Sequence, residues 1–314
     1  MKFLLEESDS FSGSMLPIDR RSAAHNPYID GTYKHILNLL NTNQDEYSII
    51  FTSGPSSCYR LFNEMYGLQK GSIVLASHDQ HKNVQHILDA AAQSSVKIRS
   101  IPLKIKDLRI HGDDMHKLLR KRGWSSHGCG LLLYPAQSFL TGICHSLNWI
   151  ATAHQNGWKV LLDVSSCLPM VNVDLSLYQP EFVIGSLHHM IGYPSDVGFL
   201  LVRRSSHSIC IKKGSTEFKL ADFPENGNTV HVVTNGERLH THTFAALRFG
   251  LEHLEDIGIM AIQRRVESLV AWLIKNLNSL KHKLDGKPLL QVGSSSYYVL
   301  LYVTSSHLSL FYIF

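Results

Sequence analysis

Ser186-Leu187-His188-His189-Met190-Ile191-Gly192 lies between two apolar runs, Phe182-Val183-Ile184-Gly185 before it and Phe199 to Val202 after it. The connection to the second run is Gly192-Tyr193-Pro194-Ser195-Asp196-Val197-Gly198. That order predicts a strand, a polar turn, a glycine-containing hairpin and a second strand. Runs of the same kind recur upstream at Ile49-Ile50-Phe51, Ile73-Val74-Leu75, Leu131-Leu132-Leu133 and Val160-Leu161-Leu162. They are apolar at consecutive rather than alternate positions, as in strands of a sheet covered on both faces. Val96 to Ile101 alternates apolar and polar residues and predicts a strand nearer an edge. Ser57 to Met65, Asn83 to Ala92, Asp113 to Arg120 and Leu147 to His154 carry helical spacing between these runs. The alternation predicts an α/β fold with a mainly parallel sheet and helices on both faces. Such sheets place function at the carboxyl ends of their strands.

Composition narrows the class. The chain has 314 residues, 44% hydrophobic and 18% charged, with a formal charge of +4. These values describe a globular chain able to bury a core. The one short basic cluster, Lys117 with Arg120-Lys121-Arg122, reads as a solvated helix end, and no nucleic-acid partner is expected. Cys58, Cys129, Cys144, Cys167 and Cys210 are odd in number and lack paired metal spacing. Met1 to Ser10 is short, acidic and without a cleavage motif, so reduced thiols in a cytoplasmic setting are expected. His188-His189, His240-x-His242 and His78-x-x-His81 are histidine pairs without a second pair of ligands at the usual spacing, and no metal site is expected.

The organisation divides at three places. Residues 1–30 read as a polar lead-in, with helical spacing beginning at Thr32 and running to Leu40. Residues 31–240 form the large domain, in which Lys213 to Glu237 reads as a long polar loop. Residues 241–314 hold two helices, Thr241 to Glu255 and Met260 to Leu280, and an aromatic, β-branched end from Tyr297 to Phe314. That end is interrupted by Thr304-Ser305-Ser306-His307, so strands of an incomplete second domain are expected and no membrane partner.

Four strand ends carry polar residues suited to chemistry. Ser53-Gly54-Pro55-Ser56 joins a strand to a helix, where free backbone N–H groups and the positive end of the helix dipole suit a phosphate; the same residues also make a plain N-cap. Ser77-His78-Asp79-Gln80-His81 follows the next strand and places histidines on a turn. Asp163 ends the apolar run Val160 to Leu162, where a carboxylate is unfavourable without a partner; it could also cap a following helix. Ser186 and His188 follow the run that ends at Gly185.

Taken together, these elements resemble the class V pyridoxal-phosphate-dependent aminotransferase and cysteine desulfurase family. The likeness is strongest to the N-terminal domain of plant molybdenum cofactor sulfurases, through Tyr134-Pro135-Ala136-Gln137-Ser138, Thr141-Gly142 and Asn26-Pro27-Tyr28, and covers Asn26 to Leu280. The resemblance implies an aspartate-aminotransferase-like large domain with a seven-stranded sheet, pyridoxal phosphate as cofactor and a homodimer as assembly. It implies that Ser56, Ser186 and His188 bind the phosphate, that His81 stacks on the ring, and that Asp163 pairs with the ring nitrogen. It also marks departures. His189 holds the position of the Schiff-base lysine, and an imidazole cannot form that bond. Phe139 stands where an asparagine would meet the ring hydroxyl, and Ser166 where desulfurases carry a glutamine. Glu237-Arg238 falls where the family carries a Gly-Thr pair. The next lysines downstream are Lys212 and Lys213, and no cysteine follows Cys210 to carry a persulfide. The expectation is a catalytically impaired sulfurase-like protein that binds pyridoxal phosphate, if at all, non-covalently. An active transferase or desulfurase, and a non-enzymatic module for another small phosphorylated ligand, are the alternatives.

Overall fold

The computed structural model describes residues 26–68, 70–104, 108–120, 130–192, 195–209, 230–233, 239–281, 290–294, 299–305 and 308–313. All seven anticipated runs form strands: β1 Tyr47–Ser53, β2 Ile73–Ser77, β3 Lys97–Ile101, β4 Gly130–Pro135, β5 Trp158–Asp163, β6 Phe182–Ser186 and β7 Val197–Arg203. An eighth, β8 Val230–Val233, pairs parallel with β1 from Ile49↔Val230 to Thr52↔Val233. It lies inside the stretch 213–237 that the sequence predicts to be loop. Four residues among polar neighbours give little periodicity to detect, whereas β1 needs partners for the backbone groups on the side that β7 does not cover. The sheet therefore has eight strands, in the order β3-β2-β4-β5-β6-β7-β1-β8. Every pairing is parallel except those of β7, which runs against both β6 and β1.

Side-chain alternation divides each central strand between two cores. Ile49 and Phe51, Leu132 and Tyr134, Val160 and Leu162, and Phe199 and Leu201 pack on one face. Ile50, Leu131 and Leu133, Leu161, Phe182 and Ile184, and Leu200 and Val202 pack on the other. The first face is covered by α1 Pro27–Leu39, α4 Gly112–Arg120, α5 Asn148–Gln155 and α8 Thr241–Ile257. The second is covered by α2 Pro55–Met65 and α3 Gln85–Gln93. Between α5 and β7 two short helices intervene, α6 Leu175–Tyr178 and α7 Leu187–Ile191. β3 is largely exposed and ends the sheet, as its alternating pattern predicts.

Helix α1 begins four residues earlier than the polar lead-in predicts. Asn26 caps it by accepting from the Tyr28 N–H at 3.0 Å, and Pro27 occupies the first turn, where its missing N–H costs nothing. Its Thr32 hydroxyl donates to the Phe244 carbonyl on α8 at 3.3 Å. Residues 1–25, and Lys121, Arg122, Cys129, Lys212, Lys213 and Glu237-Arg238, lie outside the described residues. After α9 Ile259–Asn278, a separate antiparallel sheet of β9 Leu290–Ser294, β10 Val299–Ser305 and β11 Leu308–Ile313 forms, in agreement with the strands expected there. Among the described residues no helix is long and apolar enough to cross a membrane.

One buried carboxylate ties β5 to β6 away from the strand ends that carry chemistry. Glu181 is 5% exposed and accepts from the Val160 N–H at 2.9 Å, Lys159 Nζ at 3.0 Å and His154 Nε2 at 3.1 Å. Burial pushes its carboxyl up, but the His154 and Val160 bonds and the charges of His154 and Lys159 outweigh that and hold it down at about 2. Glu181→Ala leaves the Val160 N–H without an acceptor and should cost about 2 kcal/mol, read as a lower midpoint in urea unfolding. Because the folded value lies below the ordinary 4.5, the wild-type advantage over Glu181→Ala should be full above that pH and shrink as the solution is acidified further.

Candidate functional site

Strand direction brings the chemistry to one edge. β1, β2, β4, β5 and β6 all end at the same edge, and the antiparallel β7 begins there. Ser53 pairs with Val197, Ser186 with Gly198, Ile184 with Asp163, and Asp163 with Pro135. Alternation then selects a face: Asp163 is two residues from Leu161, and Ser186 two from Ile184, so both point toward the core that α2 covers.

The loop into α2 is seated by backbone contact rather than by side chains. Gly54, not a serine, is the N-cap residue, at φ 83°, a left-handed conformation that favours glycine. Opposite it, a Cβ on Gly198 would meet the Gly54 carbonyl carbon and oxygen and the Pro55 nitrogen at 2.7–2.8 Å. Glycine at 198 therefore lets β7 and the loop touch. Ser56, half-buried, lies in the first turn of α2. The Ser57 hydroxyl donates to the Ser53 carbonyl at 3.0 Å, and Thr52 Oγ1 donates to the Gly54 carbonyl at 2.9 Å.

Asp163 has two partners inside the protein. Oδ1 accepts from the Ser165 N–H at 2.8 Å, which makes a local turn rather than a helix cap, and Oδ2 accepts a short hydrogen bond from the hydroxyl of Tyr59 on α2. Tyr59 is 1% exposed, and burial, followed by the Asp163 charge and bond, raises its phenol well above the usual value. His81 follows β2, and its Nδ1 accepts from the Asn83 N–H at 3.2 Å. Burial lowers its pKa, opposed by the charge of Asp163 and assisted by Lys82 and His189. His189, exposed on α7, is lowered by burial and by His188 and raised by Asp163. Asp163, His81 and His189 thus act on one another across gaps of 82 and 26 residues in sequence. Ser186 is 1% exposed and ends β6; its hydroxyl does not cap α7. His188, half-buried, packs its ring against that of His189 at 5.4 Å.

A second buried pair joins two of the turns at this edge. Asp79, fully buried, accepts from the Ser77 hydroxyl through Oδ1, and its Oδ2 lies 2.8 Å from His145 Nε2. Its carbonyl accepts from the Phe139 N–H at 3.1 Å. Burial pushes the Asp79 carboxyl up, but the His145 bond and charge, with Ser77 and Ser138, leave it below the ordinary value. The pair locks the turn after β2 to the loop after β4, and so brings the Phe139 ring edge-on to His81 at 4.4 Å.

Sequence reasoning did not find Tyr59, Asp79, His145 or Lys82. Tyr59 falls on the apolar stripe of α2 with Phe62, and its only signal is a hydroxyl that needs a partner once buried. Asp79 sits between the two histidines that drew attention, and its partner His145 is 66 positions away. Lys82 adjoins His81 and is exposed, 107 positions before His189 in sequence. Among the described residues no group of three or more His, Cys, Asp or Glu side chains is placed to hold a metal ion.

Comparison with known proteins identifies the family and agrees with the fold. The family model described as aminotransferase class-V matches residues 18–287. The chain belongs to that family. Curated relatives include molybdenum cofactor sulfurase 3 of Aedes aegypti, 27% identical over 81% of this chain and 35% of that protein. The molybdenum cofactor sulfurase of Arabidopsis thaliana is 24% identical over 83% of this chain and 36% of that protein. The chain thus spans about a third of the length of these relatives. In fold it is similar to the cysteine desulfurase CsdA of Escherichia coli, with a TM-score of 0.68 and 18% identity over 98% of this chain and 76% of that one. The apo cysteine desulfurase of Thermococcus onnurineus gives a TM-score of 0.70 at 17% identity, with the same coverage. Pyridoxal phosphate is the cofactor of this family, and its binding by this chain is consistent with that membership.

Two outcomes follow from this geometry. Gly198→Ala forces backbone apart at the Ser53–Ser57 loop and should destabilise the protein by about 1–3 kcal/mol, read as a lower melting temperature. The histidines set a pH dependence. His81 and His189 both titrate below the ordinary 6.5 when folded, so the unfolded chain takes up protons first. Their contribution is therefore constant above that pH and turns destabilising as pH falls below it. Melting temperatures between pH 7.5 and 5.5 should drop less steeply in His81→Gln than in the wild type.

Proposed function

We propose that this chain is a molybdenum cofactor sulfurase-like member of the class V family whose site takes a phosphorylated ligand non-covalently and is catalytically impaired. The observation that carries this reading is His189. It stands on α7 within the field of Asp163, and it offers an imidazole where attachment of the cofactor requires a primary amine. The other groups fit pyridoxal phosphate in kind. Ser56, Ser186 and His188 supply hydroxyl and imidazole groups for a phosphate beside the opening of α2. Asp163 supplies the carboxylate for a ring nitrogen, and His81 an imidazole for the ring face. When bound, pyridoxal phosphate supplies an electron sink for bonds to an amine-bearing carbon. The chain's own residues hold, orient and shield the ligand, and neutral His81 and His189 can take up a proton. Free Cys58, Cys144 and Cys167 support residence in a reducing compartment such as the cytoplasm.

The specific observation favouring an active enzyme instead is Lys82, whose charge reaches His81 from the turn after β2. Borohydride reduction of the protein mixed with pyridoxal phosphate, followed by peptide mapping, separates the two readings. The impaired reading expects no pyridoxyl group at any single lysine and no alanine formed from cysteine. A stoichiometric label at Lys82 overturns it. His189→Lys should acquire the label at position 189 and a visible absorbance band that the wild type lacks.

A further inference from the structure

We propose that Tyr59 is a built-in hydrogen-bond donor that satisfies Asp163 from within the protein, at the oxygen that would otherwise meet a ring N–H of the ligand. The inference rests on the functional reading above and narrows it: the site is completed by its own phenol, and a heterocyclic ligand must compete with that phenol for one carboxylate oxygen.

The two oxygens of Asp163 have different duties. Oδ1 is committed to the Ser165 N–H, which shapes the turn leaving β5. Oδ2 carries the Tyr59 hydroxyl, so a ligand N–H that meets this oxygen must share its lone pairs with the phenol or displace it. Neither group reaches the contact by chance exposure. Tyr59 is held in the α2-side core, with neighbouring Cys58 bonded to Thr52 Oγ1 at 3.0 Å and Phe62 packed edge-on to Phe182 at 4.9 Å. Asp163 is fixed by strand pairing on both sides, to Pro135 and to Ile184. A carboxylate at the end of a buried strand needs a donor, and a ligand that supplies one gains affinity by doing so. Where the phenol already supplies it, that gain is reduced by the bond the ligand displaces or shares. Inorganic phosphate does not engage the carboxylate and is indifferent to Tyr59. The side chain at position 59 is therefore a specificity-determining residue: it lowers affinity for the ring without altering affinity for the phosphate.

Calorimetric titration of the full chain and its Tyr59→Phe variant with pyridoxal phosphate and with inorganic phosphate tests this. Tyr59→Phe should bind pyridoxal phosphate roughly tenfold more tightly, the scale of one hydrogen bond to a charged group, with phosphate affinity unchanged. Weaker binding of pyridoxal phosphate by Tyr59→Phe overturns the proposal, since Tyr59 would then be orienting Asp163 for the ring. Equal changes for both probes also overturn it, since they report a general disturbance of the site. Melting temperatures of the ligand-free wild type, Tyr59→Phe, Asp163→Ala and the double variant supply an arm that needs no ligand. The double variant should lose no more than the worse single variant, whereas additive losses would show that the pair is not coupled and sink the proposal. If neither protein binds pyridoxal phosphate while the coupling persists, the self-satisfied carboxylate stands and the ligand reading of the site falls.

Discussion

A sheet covered by helices on both faces leaves its central strands no room for polar side chains except at their ends, and that constraint organises this protein. Val160, Leu161 and Leu162 are each at most 2% exposed, and the first polar position beyond them is Asp163. The same holds for β6, whose buried run closes on Ser186. Seven of the eight strands run the same way and end at one edge, so their first polar residues gather there. Glu181, the buried carboxylate at the far end of β6, shows what a charge needs away from that edge: three donors from within the protein.

The antiparallel β7 is the element that converts this edge into a site. Running against its neighbours, it enters the sheet where the others leave it, and carries Gly198 into contact with the backbone of Gly54 and Pro55. Position 198 pairs with Ser186 on one side while its missing Cβ admits the α2 loop on the other face. The opening of α2 is therefore placed against Ser186, the residue that ends β6. Two buried contacts complete the arrangement, Asp79 with His145 and Asp163 with Tyr59. Both join an acid at or just beyond a strand end to a residue on a different element, so both fix relative positions that strand pairing alone leaves open. His81 and Phe139 inherit their contact from the first pair, and the charge that acts on His81 and His189 comes from the second.

The chemistry of the edge is defined by which donors are present. Hydroxyls, imidazoles, a carboxylate and a helix opening lie at this edge; position 189 carries an imidazole, and the exposed Lys82 beside His81 carries an amine. Membership of the class V family accounts for the fold.

Much of this was legible in the residues themselves. Consecutive apolar runs specify strands buried on both faces, and their spacing by helical patterns specifies a parallel sheet; that is why seven strands and the edge position of β3 are legible in the sequence, whereas Ser56, His81, Asp163, Ser186 and His188 are singled out only through the family resemblance. Local composition also determines that position 189 offers no amine. What tertiary structure decided are the partnerships. β8 exists because β1 has an open side to cover, although its own four residues carry little signal. Asp163 is satisfied by a phenol 104 positions earlier, and Asp79 by an imidazole 66 positions later. No periodicity encodes such pairs, because hydrogen-bond partners are selected by proximity after the sheet has closed, and residues far apart in sequence become neighbours only then.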